Sequence, residues 1–263
     1  MKKILNIVLK SVLGAGIVLL FIFANKKQSQ VLCPEFVIEL KDQGMPLISR
    51  FYIRSLITES GIKVKGQPLE AIDLEKIHQV IAGSPFVKSV NLTVDVNGKV
   101  KVNVEQRRPI VRVIDFAGNQ FYLDSEGKRV PISHEFTARL LVANGKIRTL
   151  QNSNTKSGMT GAKESYQLLT VDLQNIFVVA KQLECDEFTK ALVEQIYLNS
   201  NGEIELIPKI GEQTILLGDT TSLKEKLEKL KIFYTQGNRN EAWSTYRSIN
   251  LKYRDQVICK KTI

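Results

Sequence analysis

The stretch "FVKSVNLTVDVNGKVKVNVEQ", Phe86 to Gln106, reads as an antiparallel hairpin and decides the fold around it. Val90, Leu92 and Val94 alternate with Asn91, Thr93 and Asp95; Val100, Val102 and Val104 alternate with Lys101, Asn103 and Glu105. That period of two is the mark of half-buried strands. The Asn97-Gly98 pair suggests a two-residue turn, yet that register sets Val94 opposite Lys101 and splits the apolar rows between two faces. A loop of Val96 to Gly98 sets Val94 opposite Val100 and Leu92 opposite Val102, with Gly98 in the left-handed bulge position. The apolar pattern selects this longer loop.

Upstream, "FVIELKD" from Phe36 reads as a strand, "SRFYIRSLITES" as a helix and "LEAIDLEKIHQVIAGS" as a second helix. In the second helix Leu74, Ile77 and Ile81 share a face, Asp73 suits the cap and Gly83 the stop. Strand, helix, helix, strand, strand makes a small sheet with two helices on one face, a complete α+β unit of about 75 residues.

Downstream, "RRPIVRVI" begins a second domain, with Pro109 suited to a strand start or a bulge. "GNQFYLDSEGKRVPI" gives another strand and turn. Residues 151–166 are polar and aperiodic and predict a mobile loop. "LQNIFVVAKQLECDEFTKAL" is mainly helical, and "VEQIYLNSNGEIELIPKIGEQTILLGD" reads as three strands. Asp219 or Thr220 then caps a helix whose stripe is Leu223, Leu227, Leu230 and Phe233. A last strand follows through Ile249 to Tyr253.

The opening residues carry Lys2 and Lys3, an apolar run from Ile4 to Ala24, then Lys26 and Lys27. Its length predicts a transmembrane helix, with the bilayer contacted by residues 4–24. A signal peptide has a similar form, but the run closes on bulky "LLFIFANKK" with no A-x-A-like site. Leu32 before Cys33 disfavours lipidation. The expected organisation is therefore a tip and anchor over 1–27 and a linker over 28–34. The α+β unit over 35–108 and a mixed α/β-sheet domain over 109–263 follow. This implies a single-pass inner-membrane protein whose large domain faces outward.

A net charge of +10 admits nucleic acid, an anionic surface or an acidic protein. The cations are dispersed along amphipathic strands without stacking aromatics, which argues against nucleic acid. Cys33, Cys185 and Cys259 make no disulfide framework; Cys185 with Cys259 is the one plausible pair, and buried free thiols the simpler reading. His78 and His134 stand apart, and neither a metal motif nor a nucleophile motif is present. Asp124 and Glu126 sit in a Ser/Gly turn where acidic groups cap and solvate. The sequence therefore predicts no enzyme and no cofactor.

Together these parts resemble the bacterial cell-division family FtsQ, also called DivIB. The resemblance rests on "SPFVKSVNLTVDVNGKVKVNVEQRRPIVRV", "FYLDSEGKRVPIS" and "WSTYRSINLKYRDQVICKK", and covers nearly the whole chain. It implies that the first unit is a POTRA domain followed by a β-domain. It also implies a non-enzymatic divisome scaffold that binds the single-span coiled-coil proteins FtsB and FtsL, with the POTRA unit helping recruitment. Other septal proteins would be met through that unit. In this family the FtsB contact uses the last strands of the β-domain. Carried over, it falls on Ile249, Asn250, Leu251, Lys252, Tyr253, Arg254, Val257 and Lys260, with the helix from Leu223 to Phe233 nearby. Individual side chains diverge from the family motif, so the segment carries over better than any one residue.

The alternation itself gives the same segment a physical reading. Lys252 and Arg254 project from one face of an exposed strand and Ile249, Leu251 and Tyr253 from the other. The cations then either meet carboxylates on a partner or only guard the edge from aggregation. A reading from another class is an envelope-biogenesis or secretion module that takes up polypeptides at the POTRA sheet.

Overall fold

Ser49 begins the first helix, its hydroxyl accepting from the Tyr52 N–H at 3.2 Å. The computed structural model describes residues 16, 32–41, 44–149, 170–236 and 246–261. Helix α1, Arg50–Glu59, buries Ile53 and Ile57. A 3-10 turn over Leu69–Ala71 leads to Asp73, whose carboxylate accepts from the Lys76 N–H at 2.9 Å. That cap opens helix α2, Leu74–Ala82, which buries Ile77 and Ile81 and stops at Gly83.

The helices cover a sheet of β1 (Phe36–Lys41), β2 (Val87–Val94) and β3 (Val100–Gln106) in the order β1-β3-β2. Asp95 N–H donates to the Lys99 carbonyl at 2.9 Å, and Gly98 sits at φ 78°. The hairpin therefore closes through Val96 to Gly98, as the apolar rows require. The returning strand is central: β1 runs parallel to β3, with Ile38 opposite Val102 and Leu40 opposite Val104. This explains an asymmetry in the hairpin. Val100, Val102 and Val104 are fully buried, whereas Val94 on edge strand β2 stays 42% exposed.

Among the described residues this unit comprises 32–41 and 49–105, while 44–48 group with the second compact unit, 106–261. Gln106 shows why 44–48 belong there: its buried side-chain carbonyl accepts from Leu47 N–H at 2.9 Å and Ile48 N–H at 3.0 Å.

Among the described residues the second unit is built on a nine-stranded sheet. Its strands are β4 (Pro109–Ile114), β5 (Gln120–Asp124), β6 (Arg129–Pro131), β7 (Leu141–Gly145) and β8 (Val193–Leu198). They continue with β9 (Ile204–Pro208), β10 (Thr214–Gly218), β11 (Tyr246–Asn250) and β12 (Ile258–Lys261). The spatial order is β12-β11-β10-β9-β8-β7-β4-β5-β6. Strand β7 is parallel to both neighbours and β10 to β11; the other pairs are antiparallel. Pro109 lies at both a strand start and a register shift.

Helices α3 (Val171–Glu184), α4 (Glu187–Leu192) and α5 (Leu223–Gln236) complete the unit. Thr170 and Asp186 cap the first two, and the Asp186 cap explains why the helical stretch breaks after Glu184. Leu173, Ile176, Val179 and Leu183 of α3 and Leu227 and Leu230 of α5 join Val111, Val113, Ile196, Leu206, Ile215 and Ile249 in one core. Each such side chain contributes about 1.5–3 kcal/mol by leaving water.

One local expectation is corrected and two details are added. Helix α5 starts at Leu223, preceded by Ser222 at φ 47°, and neither Asp219 nor Thr220 is its cap. Phe233 packs half-buried against the core as the stripe requires, and Tyr234 beside it is buried as well. The segment "LVANG", which carries no clear alternation, is strand β7.

The expected transmembrane helix is also corrected. Among the described residues no helix is long and apolar enough to cross a membrane. The longest, α3 and α5, have 14 residues each, are amphipathic, and reach about 21 Å against a hydrocarbon core of about 30 Å. Residues 4–24, apart from Gly16, lie outside the described residues, as does the loop expected over 151–166. The transmembrane element of the fold, the bilayer contact and the single-pass inner-membrane placement are withdrawn.

Candidate protein-docking edge

The nine-stranded sheet ends on β12, so the last 16 described residues decide what that edge offers. Ile249 is buried between two strands: it lies opposite Ile215 of β10 in parallel and opposite Cys259 of β12 in antiparallel register. Its strand is therefore one position inside the edge. Asn250 ends that strand, and its side-chain carbonyl accepts from the Lys252 N–H at 3.0 Å. Leu251 is fully buried, and its N–H donates to the Leu216 carbonyl at 2.9 Å.

The strand expected through Tyr253 thus stops at Asn250, and 251–257 form a connection to β12. Lys229 of α5 holds this connection. Its ammonium donates to the carbonyls of Leu251 at 3.4 Å, Arg254 at 3.0 Å and Tyr253. Lys252 folds back over Gly218 to reach Glu203 at 2.9 Å, which holds its ammonium above the usual lysine range. Its charge is therefore already met within the chain. Tyr253 and Arg254 are exposed, and Val257 is half-buried against the core.

Strand β12 contributes the outer rim. Ile258, Lys260 and Lys261 are exposed, while Cys259 is half-buried and burial pushes its thiol up. Beside it lies a cavity of about 370 Å³ lined by Lys229, Ile232, Phe233, Gln236 and residues 255–257. Phe233 stacks edge-on against Tyr246 at 5.8 Å and Tyr234 at 5.6 Å, so aromatic contacts back the apolar wall of the cavity. Ile232, 45% exposed, extends that wall to the surface. A sheet edge, an apolar recess and exposed cations can bind extended polypeptide backbone.

The structure thus brings Ile249, Asn250, Leu251 and Lys260 onto adjoining strands or their immediate end. Lys252 turns toward β9, and Tyr253, Arg254 and Val257 sit in the connection. Strand β12 itself and the Lys229 clamp escaped sequence reading. A break was signalled by Asp255 and Gln256, whereas Lys229 gave no signal, because its partners lie 22 to 25 residues on.

Asp124 is buried against Arg107 at 2.9 Å and accepts from the N–H groups of Glu126 and Lys128, so it shapes a turn. Among the described residues no group of three or more His, Cys, Asp or Glu could hold a metal. All three cysteines are free; Cys33 is buried but Cys185 is exposed, which corrects the uniformly buried reading.

Two family models match. Residues 31–105 match the POTRA-like domain, and residues 108–260 match "FtsQ/DivIB, C-terminal related". No curated protein matches the chain. With more than half of its length in the second match and the POTRA-like unit ahead of it, the chain belongs to the FtsQ/DivIB family, and as such is a non-catalytic scaffold that interacts with divisome partners.

Proposed function

We propose that this scaffold assembles the septal complex by binding FtsB-like and FtsL-like single-span division proteins, and that one of them adds a strand to β12. The observation that carries the reading is the place of β12 at the end of the nine-stranded sheet. An outermost strand leaves one row of N–H and C=O groups available, and partner backbone satisfies them in register. Exposed Lys260 and Lys261 on the strand and exposed Arg254 in the connection before it favour an acidic partner segment. Ile249, Asn250 and Leu251 support the edge from within, and Tyr253 and Val257 border it. Lys252 contributes by fixing the connection, since Glu203 occupies its charge. The POTRA-like unit adds contacts to other septal proteins.

The test is a crosslinking pull-down of the full chain that looks for small coiled-coil division proteins. The Arg254→Glu, Lys260→Glu variant should lose most of that capture while unfolding at the wild-type temperature. Undiminished capture by the folded variant would sink the charge argument. Proline at Cys259, which removes a strand N–H, probes the backbone argument. Depletion separates this reading from envelope biogenesis: filaments with intact surface-protein assembly support division, and normal septa with lost outer-membrane proteins overturn it.

A further inference from the structure

Strand β7 begins late. Its register sets Leu141 opposite Val111 of β4 and Val142 opposite Gln195 of β8. Both neighbours start earlier, at Pro109 and Val193, and so run past its first residue. The preceding residues, Thr137 to Leu140, are not in the strand and line the notch without filling it. The result is a cavity of about 600 Å³ within the second unit, in the size range of small-ligand sites.

Ile110, Leu141, Val142, Ala180, Leu183 and Val193 give it a mainly apolar lining. Its charged lining is unbalanced. Arg112, Arg139, Lys190 and Lys209 face two carboxylates, Glu184 and Glu194. Glu184 is already engaged by both terminal nitrogens of Arg108, one of them at 3.0 Å. Arg112 supplies an independent observation. One terminal nitrogen donates to the Gln120 side chain, but its Nε is buried and meets no acceptor among the described residues. That nitrogen is shielded from the cavity, so an incoming anion would meet the terminal edge of the guanidinium, which lines it.

We propose that this cavity binds a single-chain anionic amphiphile, its apolar body against Leu141 and Leu183 and its carboxylate or phosphate head on Arg112. Arg139, exposed and close to the entry of β7, adds charge to the same site. A cation is disfavoured by the excess of positive charge, and a neutral chain leaves that excess uncompensated. The site is separate from the β12 edge, and its occupancy does not depend on strand addition there.

Calorimetric titration of the full chain tests this with dodecanoate and dodecyl phosphate, each below its micelle-forming concentration. Saturable one-to-one binding is expected for at least one of the two, and the tighter identifies the head group. Arg112→Gln should weaken it about tenfold or more, as loss of a charge-assisted hydrogen bond does. Arg139→Glu, at an exposed position that does not threaten the fold, should weaken it severalfold. Dodecanol and dodecyltrimethylammonium should bind far less. Absence of saturation with both anions overturns the proposal, as does equal affinity for the cationic chain. Wild-type affinity in both folded variants overturns it too. Sedimentation with phosphatidylglycerol vesicles in the absence of monomer binding would assign these cations to a lipid surface and also overturn it.

Discussion

The Lys226 ammonium lies 2.7 Å from the Asp219 carboxylate, and the lysine, not the aspartate, is the buried partner. Lys226 also donates to the Asp219 main-chain carbonyl at 2.9 Å. This lysine occupies a buried position of α5, where a charge survives only if its hydrogen bonds are met. Asp219→Asn should therefore cost about 1–2 kcal/mol in denaturant unfolding, a value held down by solvent screening of the exposed carboxylate. Lys226→Met, which removes charge and partner need together, should be close to neutral.

The same pair gives a pH dependence. Hydrogen bonds from Lys226 and then Thr221 hold the Asp219 carboxyl down from 3.8 to about 2. As pH falls, the unfolded chain takes up this proton first. The stabilisation is present in full above about pH 4 and is lost as pH falls through about 2. The stability difference between wild type and Asp219→Asn should shrink across that window. A constant difference from pH 5 to pH 2 would show that the carboxylate's charge does not matter.

Gly145 is fixed by a close approach. It sits at φ 105°, opposite Leu198, and an added Cβ would stand 2.2 Å from the Leu198 carbonyl oxygen. Gly118 has a similar φ, 85°, but open space around it. Alanine at Gly118 should cost about 1 kcal/mol from backbone strain alone. Alanine at Gly145 should cost at least about 3 kcal/mol, because backbone must move as well. Equal losses in thermal unfolding would refute the contact.

That contrast shows what one sequence can and cannot carry. The hairpin from Val87 to Gln106 was legible because both of its determinants are local: the alternating valines and a glycine at the bulge. Asp73 was legible as a cap for the same reason, being three residues from its acceptor's partner Lys76. The chain's end was not. Ile249 to Tyr253 alternates as a strand should, yet the strand stops at Asn250, because Leu251 is drawn to Leu216 and Lys252 to Glu203. Those partners lie 35 and 49 residues upstream, beyond the reach of any periodicity. The terminal strand was therefore legible only to Asn250, and the strand that follows it, Ile258–Lys261, was not.

Gln106 joins residues 44–48 to the second unit through the two N–H groups it accepts from. Its side chain is 4% exposed, so water cannot take its place. Gln106→Leu leaves both donors unpaired and should cost about 2–4 kcal/mol. Hydrogen exchange should show faster exchange at Leu47 and Ile48 first. Unchanged protection there would mean that other contacts hold the segment.

Lys229 makes the sharpest prediction about the proposed docking edge. Three carbonyls, of Leu251, Tyr253 and Arg254, converge on its ammonium, and Leu251 follows directly on the strand that supports β12. Lys229→Met keeps the aliphatic length of the side chain but removes every donor. Helix α5 should persist, since its stripe of Leu223, Leu227 and Leu230 is untouched. The connection 251–257 and strand β12 should instead open more often, with amide exchange faster by about fivefold to tenfold. Partner capture should fall with it, because a strand that frays cannot template another. Lys229→Arg separates the two effects: it keeps a donor, so exchange and capture should recover together. If capture falls in Lys229→Met while exchange at β12 stays at the wild-type rate, Lys229 touches the partner directly, and its role as a clamp on the edge is wrong.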